Sequence, residues 1–568
     1  MRNFREELLK FSPIFFVSSV IFIFLKYRHI ARIEDQQALS KLMGYSSQDV
    51  LIFFLIGGAL FCFAKFGRFL TFLLFALTSI NILLTSKMGY PITKGLLAQA
   101  GDILFIQTSV TSPSIYRLIV IFGLICLGFL FLLFILKHIR FHKILGKVLL
   151  PLNFLLIGLS LFYLLSNNLR LNTRFNKNIL VSLSISPATL KNITDKEHFK
   201  KYQYKEWKKT KFPRELKKKW NILFVVVETL ASRPLEGNLS EVMPATSEIL
   251  KDSYFFSQHF TSWPFSSKSL YSIFCNQVNH PTELIEIKLI RKFPCHSWIT
   301  ELIQNQGYAS SLYYTGNLNY DNMKNFFKYL KIDNLRDRDY FKTRKKYKES
   351  LISIDDQSMV DEFDLWLQKK KKKPFLSFFL TMNSHYPFWN PDNGLDGENN
   401  YLNSISYQDK IIKDLNETLK KHGLAENTIL VITGDHGRRM SEDSNYILPK
   451  SMFHIPLIIK IPNKKKKIVT APTNHYQIGE SIIGILANGE MDDTPLIKSK
   501  ESFVFFQTSD FQYSIIKNDS ISVYDGSDKL TYSNTWPDNN SKKCQVGKCP
   551  QKFQKYFEYF KNLEGLYE

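Results

Sequence analysis

Five long apolar segments near the start of the chain limit its fold more than any other feature. They cover residues 11–25, 50–64, 69–84, 118–136 and 148–165. Several are slightly shorter than the roughly 20 residues that a perpendicular membrane helix needs, but flanking Lys, Arg and Tyr side chains can extend them. The sequence therefore predicts a five-span, multi-pass α-helical membrane domain over residues 1–168.

Neither a signal peptide nor a soluble helical bundle fits these segments as well. A signal peptide needs only one apolar segment, and four more follow the first. Buried helices of a soluble bundle are disfavoured by such long charge-free runs. The short loops carry slightly more Lys and Arg on the N-terminal side of the predicted membrane than on the opposite side, which directs the C-terminal region outward. We therefore expect a protein of the cell membrane with an extracytoplasmic catalytic domain.

The cysteines also fit an extracytoplasmic domain. Four of them, Cys275, Cys295, Cys544 and Cys549, lie in the part that follows the apolar segments. An even number suits an oxidising environment, and Cys544 with Cys549 is expected to close a small disulfide loop. A zinc knuckle would need two more ligands nearby.

The formal net charge of +23 raises the question of a nucleic-acid partner. The lysines form scattered runs, such as Lys369–Lys373 and Lys464–Lys467, and neither run is interleaved with aromatic residues. Anionic lipid headgroups are a simpler partner for an anchored domain than nucleic acid. A solvated, lysine-rich surface remains the alternative for any single run.

The rest of the chain divides into three regions. Residues 169–219 are polar and strongly basic, and we interpret them as a juxtamembrane linker. Residues 220–500 alternate short apolar strands with helices, which is typical of an α/β domain whose mostly parallel sheet is covered on both faces. Residues 501–568 contain alternating segments, which indicate a small antiparallel subdomain.

Several candidate site residues follow apolar strands of that α/β region. Glu228 comes after Phe224-Val225-Val226-Val227, and His385 after the strand that begins at Phe375. Asp435 and His436 follow the run that ends at Thr433, with Gly434 between that run and the pair. Because open α/β sheets place their sites beyond the carboxyl ends of the strands, we expect these side chains to meet.

The residue types indicate a metal site. Carboxylates of Glu228 and Asp435, the imidazole of His436 and one hydroxyl make a four-donor N/O set, which suits a single Zn²⁺ or Mn²⁺ ion. Such an ion can lower the pKa of a serine hydroxyl and withdraw charge from a phosphoryl oxygen. The set predicts an enzyme that acts on phosphate or sulfate esters.

The hydroxyl is expected from Ser266 or Ser267, which precede a helix-compatible run. A serine at a helix N-terminus lies where free N–H groups favour phosphate, although a plain N-cap role is the alternative. His385 and His454 are candidates for donating a proton to the leaving group or holding the phosphate, and each could instead be a packed or surface residue. Arg438 and Arg439 could neutralise phosphate or simply be solvated.

These motifs resemble the alkaline phosphatase and sulfatase superfamily, and within it the membrane-anchored lipoteichoic acid synthases and phosphoethanolamine transferases. Val227-Glu228 looks like the metal-binding glutamate of that group, and Asp435-His436 like its metal-ligand pair. His385 resembles the substrate-site histidine of that group, and His454 resembles the histidine that precedes the Val/Ile-Pro strand in phosphoethanolamine transferases.

The sequence departs from those families in two places. Phosphoethanolamine transferases normally use threonine as the nucleophile, and this chain has serine. Matching the helix to sulfatases and lipoteichoic acid synthases selects Ser266, which we favour, whereas matching it to phosphoethanolamine transferases selects Ser267. Lys268 and Leu270 replace the Pro and Arg of the sulfatase formylglycine motif, which argues against that modification.

The resemblance implies a transferase that moves a phosphoglycerol or phosphoethanolamine headgroup from a membrane phospholipid donor to an envelope glycan or lipid acceptor, through a phosphoserine intermediate. One alternative is a hydrolase of sulfate or phosphate esters. Another is a non-catalytic, lipid-sensing membrane protein.

Overall fold

The structure is a computed structural model that describes most of the chain. It describes residues 2–30, 46–63, 66–88, 120–131, 142–165, 212–277, 295–507, 511–533 and 542–545, with gaps at 214, 296, 320–322, 351, 370–372, 387, 393–399, 439, 441–447, 518–519 and 525–528. The chain forms two compact units, Met1–Thr189 with Gln507–Asp510, and Leu190–Phe506 with Phe511–Glu568. Most of the predicted linker, residues 169–219, lies outside the described residues.

The first unit is helical, and its helices coincide with the five predicted apolar segments. They are Arg2–Ile30, a π-helical turn Phe53–Gly57 continued by Gly58–Phe63, Gly67–Met88, Val120–Phe131 and His142–Leu165. Two of them contain apolar stretches long enough to cross a membrane, Leu9–Tyr27 and Ile144–Phe162, whereas the remaining apolar helices are shorter. The helices are thus present, and the five-span arrangement stays a prediction.

The helices of this unit are apolar on the outside as well as inside. Their packed side includes Phe11, Phe22 and Phe75, which are buried in one cluster. Large apolar side chains also project outward, for example Phe69 and Phe162. An exposed apolar surface of this kind is unusual in a protein surrounded only by water.

The second unit is built on an eight-stranded sheet, because its apolar runs form buried strands. In chain order its strands and the short pair beside it are β1 (Asn221–Val227), β2 (Tyr254–Phe256), β3 (His259–Phe260), β4 (Ala309–Tyr314), β5 (Asn334–Arg336), β6 (Phe375–Leu380), β7 (Thr428–Gly434), β8 (Leu457–Lys460), β9 (Lys467–Val469) and β10 (Thr473–Asn474). The order in the main sheet is β5-β4-β6-β1-β7-β8-β2-β9, and β3 pairs with β10 in a separate parallel pair. Only β8 runs antiparallel to its neighbours in the main sheet, so the predicted mostly parallel sheet is confirmed.

Helices cover both faces of the sheet, as the all-apolar strands require. They are Leu239–Val242, Pro244–Leu250, Ser266–Cys275, Trp298–Gln304, Met323–Tyr329, Arg338–Lys342, Gln357–Lys369, Asn400–Lys421, Lys450–Phe453, Ile478–Asn488 and Pro495–Lys498. Phe274, Trp298 and Ile482 belong to the core on one face, and Phe363 and Leu415 to the core on the opposite face. Because successive side chains of a strand point to opposite faces of the sheet, each strand contributes side chains to both cores.

The register of the central strands brings the site residues together. β1 pairs in parallel with both β6 and β7, and Val227 lies opposite Gly434. The residues that follow these strands therefore emerge at one edge of the sheet, where they form the candidate active site.

The C-terminal part forms a second sheet of five strands in the order β11-β12-β13-β14-β15, and the pairs from β12 to β15 are antiparallel. The strands are β11 (Glu501–Gln507), β12 (Phe511–Lys517), β13 (Ser520–Tyr524), β14 (Lys529–Ser533) and β15 (Lys542–Gln545). Ile516 and Val523 of this sheet share a core cluster with Phe260 and Phe453 of the α/β part.

The described disulfide joins Cys275 to Cys295, 20 residues apart in sequence. Cys275 is the last residue of the helix Ser266–Cys275, so the bond fixes the far end of that helix. The predicted Cys544–Cys549 loop stays a prediction, since Cys549 lies outside the described residues.

Candidate active site

Two carboxylates and one imidazole converge at the edge of the sheet. One ligand atom from each of Glu228, Asp435 and His436 lies within 4.8 Å of the ligand atoms of the remaining two. His436 Nε2 is 3.8 Å from Glu228 Oε1 and 3.5 Å from Asp435 Oδ2. His436 Nδ1 lies 2.8 Å from the carbonyl oxygen of Gly437, which therefore accepts a hydrogen bond from Nδ1–H and leaves the Nε2 lone pair facing the carboxylates.

Ser266 completes this group as the first residue of the helix Ser266–Cys275. Its hydroxyl donates to Glu228 Oε2 at 3.2 Å and lies 3.3 Å from His436 Nε2. Ser267 is the next residue and is buried, and within the described part of the chain it has no hydrogen bond to Glu228, Asp435 or His436. Of the two predicted serines, the structure thus brings Ser266 to the cluster.

The start of that helix has no side-chain cap. Phe265 stands at the N-cap position and accepts no hydrogen bond from the helix through its side chain. The first N–H groups of a helix need acceptors, and the positive end of the helix dipole favours anions. Phosphate or sulfate oxygens are suitable acceptors next to the Ser266 hydroxyl.

The electrostatics of the cluster fit a cation. Glu228 is 5 % exposed and Asp435 is 2 % exposed, and among the described residues neither forms an ion pair with Lys or Arg. Burial and the neighbouring Glu228 raise the pKa of Asp435. Burial lowers the pKa of His436, but the two carboxylates more than offset this effect and the net shift is upward. Two buried carboxylates in contact need a positive charge, and the N/O donor set suits a divalent ion.

Hydrogen bonds between loops hold the two carboxylates in place. Thr229 has a φ of 57°, a left-handed conformation that is uncommon for threonine. In this conformation its N–H donates to Asp435 Oδ1 at 2.8 Å, and its hydroxyl donates to Glu228 Oε1 at 2.6 Å. Ser384 donates to the carbonyl oxygen of Glu228 at 2.7 Å. Strain at Thr229 is thus compensated by contacts that orient both carboxylates.

His385 lies in the turn that follows β6, at the same edge of the sheet as the cluster. Its Nδ1 is 2.7 Å from the carbonyl oxygen of Tyr386, which makes Nδ1 the protonated nitrogen and leaves Nε2 free to accept a proton. Burial lowers the pKa of His385, and nearby His436 lowers it further while Asp435 raises it. A neutral histidine at this position can act as a proton acceptor at neutral pH.

His454 lies in different surroundings. Its Nε2 is 2.8 Å from the carbonyl oxygen of Ser257, its Nδ1 is 3.6 Å from Glu236 Oε1, and its ring is 5.2 Å from that of Phe260. Burial lowers the pKa of His454 to about 4. Among the described residues, these contacts do not include the carboxylate–imidazole cluster, so His454 is not part of the group that the remaining candidates form.

Two residues that support the cluster were not predicted from the sequence. Ser269 lies one helical turn after Ser266 and donates to the carbonyl oxygen of Asp435. His475, fully buried, lies 3.0 Å from Ser269 Oγ through Nδ1 and 3.0 Å from the carbonyl oxygen of Gly434 through Nε2. Ser269 could have been found from its i+3 spacing on the helix, whereas the sequence around His475 contains no comparable signal.

Arg438 lies two residues after His436, and its guanidinium carbon lies over two aromatic rings, those of Phe388 and Tyr401. Arg439 lies outside the described residues.

The fold of the second unit is the α/β fold seen in solved proteins of the alkaline phosphatase type. A protein of the alkaline phosphatase superfamily from Vibrio parahaemolyticus superposes with a TM-score of 0.50 at 18 % identity, covering 62 % of this chain and 90 % of that one. The lipoteichoic acid synthase LtaP from Listeria monocytogenes gives 0.51 at 16 % identity, with 62 % and 91 % covered. At these identities the similarity concerns the fold.

The sequence comparison identifies the family of this domain. Residues 220–488 match the family model described as Sulfatase, so this part of the chain is a sulfatase-family domain. The resemblance predicted from the motifs is confirmed.

Relatives with curated names agree with this assignment. The lipoteichoic acid synthase of Staphylococcus saprophyticus is 28 % identical over 158 residues, 26 % of this chain and 24 % of that protein. A lipoteichoic acid synthase-like protein of Bacillus subtilis is 26 % identical over 264 residues, 44 % of this chain and 41 % of that protein. The matched stretches thus span less than half of each relative.

Proposed function

We propose that this protein is a membrane-anchored, metal-dependent transferase that moves a phosphate-linked headgroup from a phospholipid to an envelope glycan or lipid. The observation that carries the proposal is the position of Ser266, whose hydroxyl lies within hydrogen-bonding distance of both Glu228 and His436. A serine held there, at an uncapped helix N-terminus, is suited to attack a phosphodiester. The names of the curated relatives support transfer of a phosphoglycerol unit rather than simple hydrolysis.

Glu228, Asp435, His436 and Ser266 would hold one divalent ion, Zn²⁺ or Mn²⁺. When bound, such an ion acts as a Lewis acid that favours the serine alkoxide and neutralises charge on the phosphoryl group. The N–H groups at the start of the helix Ser266–Cys275 would bind non-bridging phosphate oxygens and orient the phosphorus toward Ser266 Oγ.

The reaction then consists of two displacements at phosphorus. In the first, Ser266 Oγ loses its proton and bonds to phosphorus, the diacylglycerol O–P bond breaks, and the diacylglycerol oxygen takes up a proton. In the second, the acceptor hydroxyl gives up its proton, its oxygen bonds to phosphorus, the Ser266 Oγ–P bond breaks, and Ser266 Oγ takes up a proton. His385 is suited to accept the proton of the acceptor hydroxyl, because its Nδ1–H is committed to Tyr386 O and its Nε2 lone pair is available.

The first unit supports the membrane anchoring that this reaction needs, because donor and active site must share the bilayer surface. Two of its helices are long and apolar enough to span a membrane, and large apolar side chains such as Phe24 and Leu124 are exposed. The Cys275–Cys295 disulfide supports an extracytoplasmic position for the domain, since disulfides persist in oxidising compartments.

Mass spectrometry of the full-length protein tests this function directly. After incubation with mixed phospholipid vesicles and Mn²⁺ or Zn²⁺, peptide mapping should find a headgroup–phosphate adduct on Ser266. The adduct should be absent from Ser266→Ala and Glu228→Ala and present in Ser267→Ala. Turnover of simple phosphate or sulfate esters without any adduct would favour a hydrolase, and neither adduct nor turnover would favour a non-catalytic protein.

A further inference from the structure

Arg438 is held between two aromatic rings. Its guanidinium carbon lies 4.6 Å from the ring centre of Phe388 and 4.7 Å from that of Tyr401. The two rings are themselves 5.4 Å apart and steeply inclined to each other, at 74°. A cation enclosed by aromatic faces in this way is held by cation–π attraction. We call this arrangement, made of Phe388, Tyr401 and Arg438, the aromatic cage.

The backbone around Arg438 is fixed as well. Gly437 allows a close approach to the chain at Ser451, because a Cβ at Gly437 would lie 1.9 Å from the carbonyl oxygen of Ser451. Ser451 Oγ also donates to the carbonyl oxygen of Arg438 at 2.6 Å. The position of Arg438 is therefore built into the fold and does not depend on its side chain alone.

Both aromatic residues of the cage connect to the active site. Phe388 N–H donates to the carbonyl oxygen of His385 at 2.7 Å, in the turn that carries this histidine. Tyr401 donates its hydroxyl to the carbonyl oxygen of Thr229 at 2.8 Å, next to Glu228. The cage thus lies between the His385 turn and the loop of the first carboxylate.

The N–H groups of Arg438 remain available for a ligand. Within the part of the chain that the structure describes, its guanidinium makes the two ring contacts and no hydrogen bond or ion pair. The ring faces offer no oxygen acceptor, so the cation–π contacts leave the N–H groups able to bind oxygen atoms of a ligand. Arg438 therefore offers a positive charge and hydrogen-bond donors beside the group that would carry out the reaction.

We propose that Arg438 is a specificity-determining residue that selects the donor by the charge of its headgroup. This inference rests on the proposed transferase function. Aromatic cages are the usual binding sites for ammonium groups, but here a permanent cation already fills the cage. An ethanolamine or choline headgroup would be repelled, whereas an uncharged polyol headgroup such as glycerol could accept hydrogen bonds from the Arg438 N–H groups.

A competition between two lipids tests this selection. Full-length protein is incubated in vesicles of equal parts phosphatidylglycerol and phosphatidylethanolamine, and the two headgroup adducts and the released diacylglycerol are quantified by mass spectrometry. The wild type should prefer phosphatidylglycerol. Arg438→Gln should reduce that preference by about tenfold, because it removes the charge that repels the ammonium group. Arg438→Lys, which keeps the charge, should retain most of the preference.

The matched control is Arg344→Gln. The guanidinium carbon of Arg344 also lies over an aromatic ring, 5.1 Å from the ring centre of Tyr340, but Arg344 pairs with Glu362 at 3.1 Å, and its described contacts do not reach the candidate site. This variant should keep the wild-type preference. Equal use of both lipids by the wild type, an unchanged preference in Arg438→Gln, or loss of preference in Arg438→Lys would each overturn the charge selection. If the wild type consumes neither lipid, the transferase proposal itself is wrong and the selection is wrong with it.

Discussion

Two buried histidines should make the α/β unit sensitive to acid. Burial lowers the pKa of His475 to about 3 and that of His454 to about 4. In the unfolded chain both would titrate near the ordinary value of about 6.5. Below that pH the unfolded state binds two protons that the folded state does not, so the free energy of unfolding falls as the pH falls. The stability that these two histidines contribute is fully present above a pH of about 6.5, and its loss continues down to their folded-state pKa values.

The size of the effect follows from the same two pKa values. Between pH 7.5 and pH 5, each histidine should remove about 2 kcal/mol from the free energy of unfolding, at about 1.36 kcal/mol per pKa unit. His475→Gln removes one titrating group, and its amide can still donate to the carbonyl oxygen of Gly434. We expect this variant to lose about 2 kcal/mol less than the wild type over that pH interval.

The measurement is urea unfolding of the full-length protein in detergent with EDTA, at several pH values. Tryptophan fluorescence reports on this unit, since Trp263 and Trp298 are both fully buried there. Ser269→Ala serves as the matched control because it removes the hydrogen bond to His475 but no titrating group, so it should lower stability at every pH and leave the pH dependence unchanged. An identical pH dependence in His475→Gln and the wild type would refute the reasoning.

Three further predictions concern the nucleophile, the metal and the disulfide. Ser266→Ala should reduce the rate of diacylglycerol production by at least about a thousandfold, whereas Ser267→Ala should keep that rate within about tenfold of the wild type. The reverse order of the two variants would assign the nucleophile to Ser267. Glu228→Gln should lower the Mn²⁺ or Zn²⁺ content of the purified protein, measured by elemental analysis, because one of two negative donors becomes neutral; an unchanged metal content would place the ion elsewhere. Replacing Cys275 and Cys295 with serine should lower the free energy of unfolding by about 3 kcal/mol, because the disulfide removes the entropy of a 20-residue loop from the unfolded state. Urea unfolding at neutral pH measures this change, and an unchanged free energy of unfolding would mean that the bond adds nothing to stability.

The central sheet and the cluster were predictable from the sequence because both depend on strand ends. The runs before Glu228 and Asp435 are largely apolar, which indicates parallel strands buried on both faces, and β1 and β7 have that form. Residues directly after such strands share one edge of the sheet, so the convergence of Glu228, Asp435 and His436 followed from topology alone.

The features that were not predicted depend on contacts between residues distant in sequence. His475 lies on a short helical turn after β10 and reaches Gly434 only because β10 pairs with β3 beside the main sheet. His454 has a sequence context like that of a site histidine, yet its ring nitrogens face Ser257 and Glu236. Its orientation is set by packing against Phe260, which no local pattern contains.

The pairing of β1 with β7 also has a consequence for how the protein acquires its site. Glu228 and Asp435 are delivered by strands that are adjacent in the sheet but separated by about 200 residues of chain, most of which forms the intervening strands and helices. Such long-range pairings form late and slowly, since the entropy of closing the loop must be overcome first. A chain still emerging from the ribosome therefore has no complete carboxylate–imidazole cluster until β7 has been released and paired. An ion that needs all three side chains can therefore bind only after these two strands have paired.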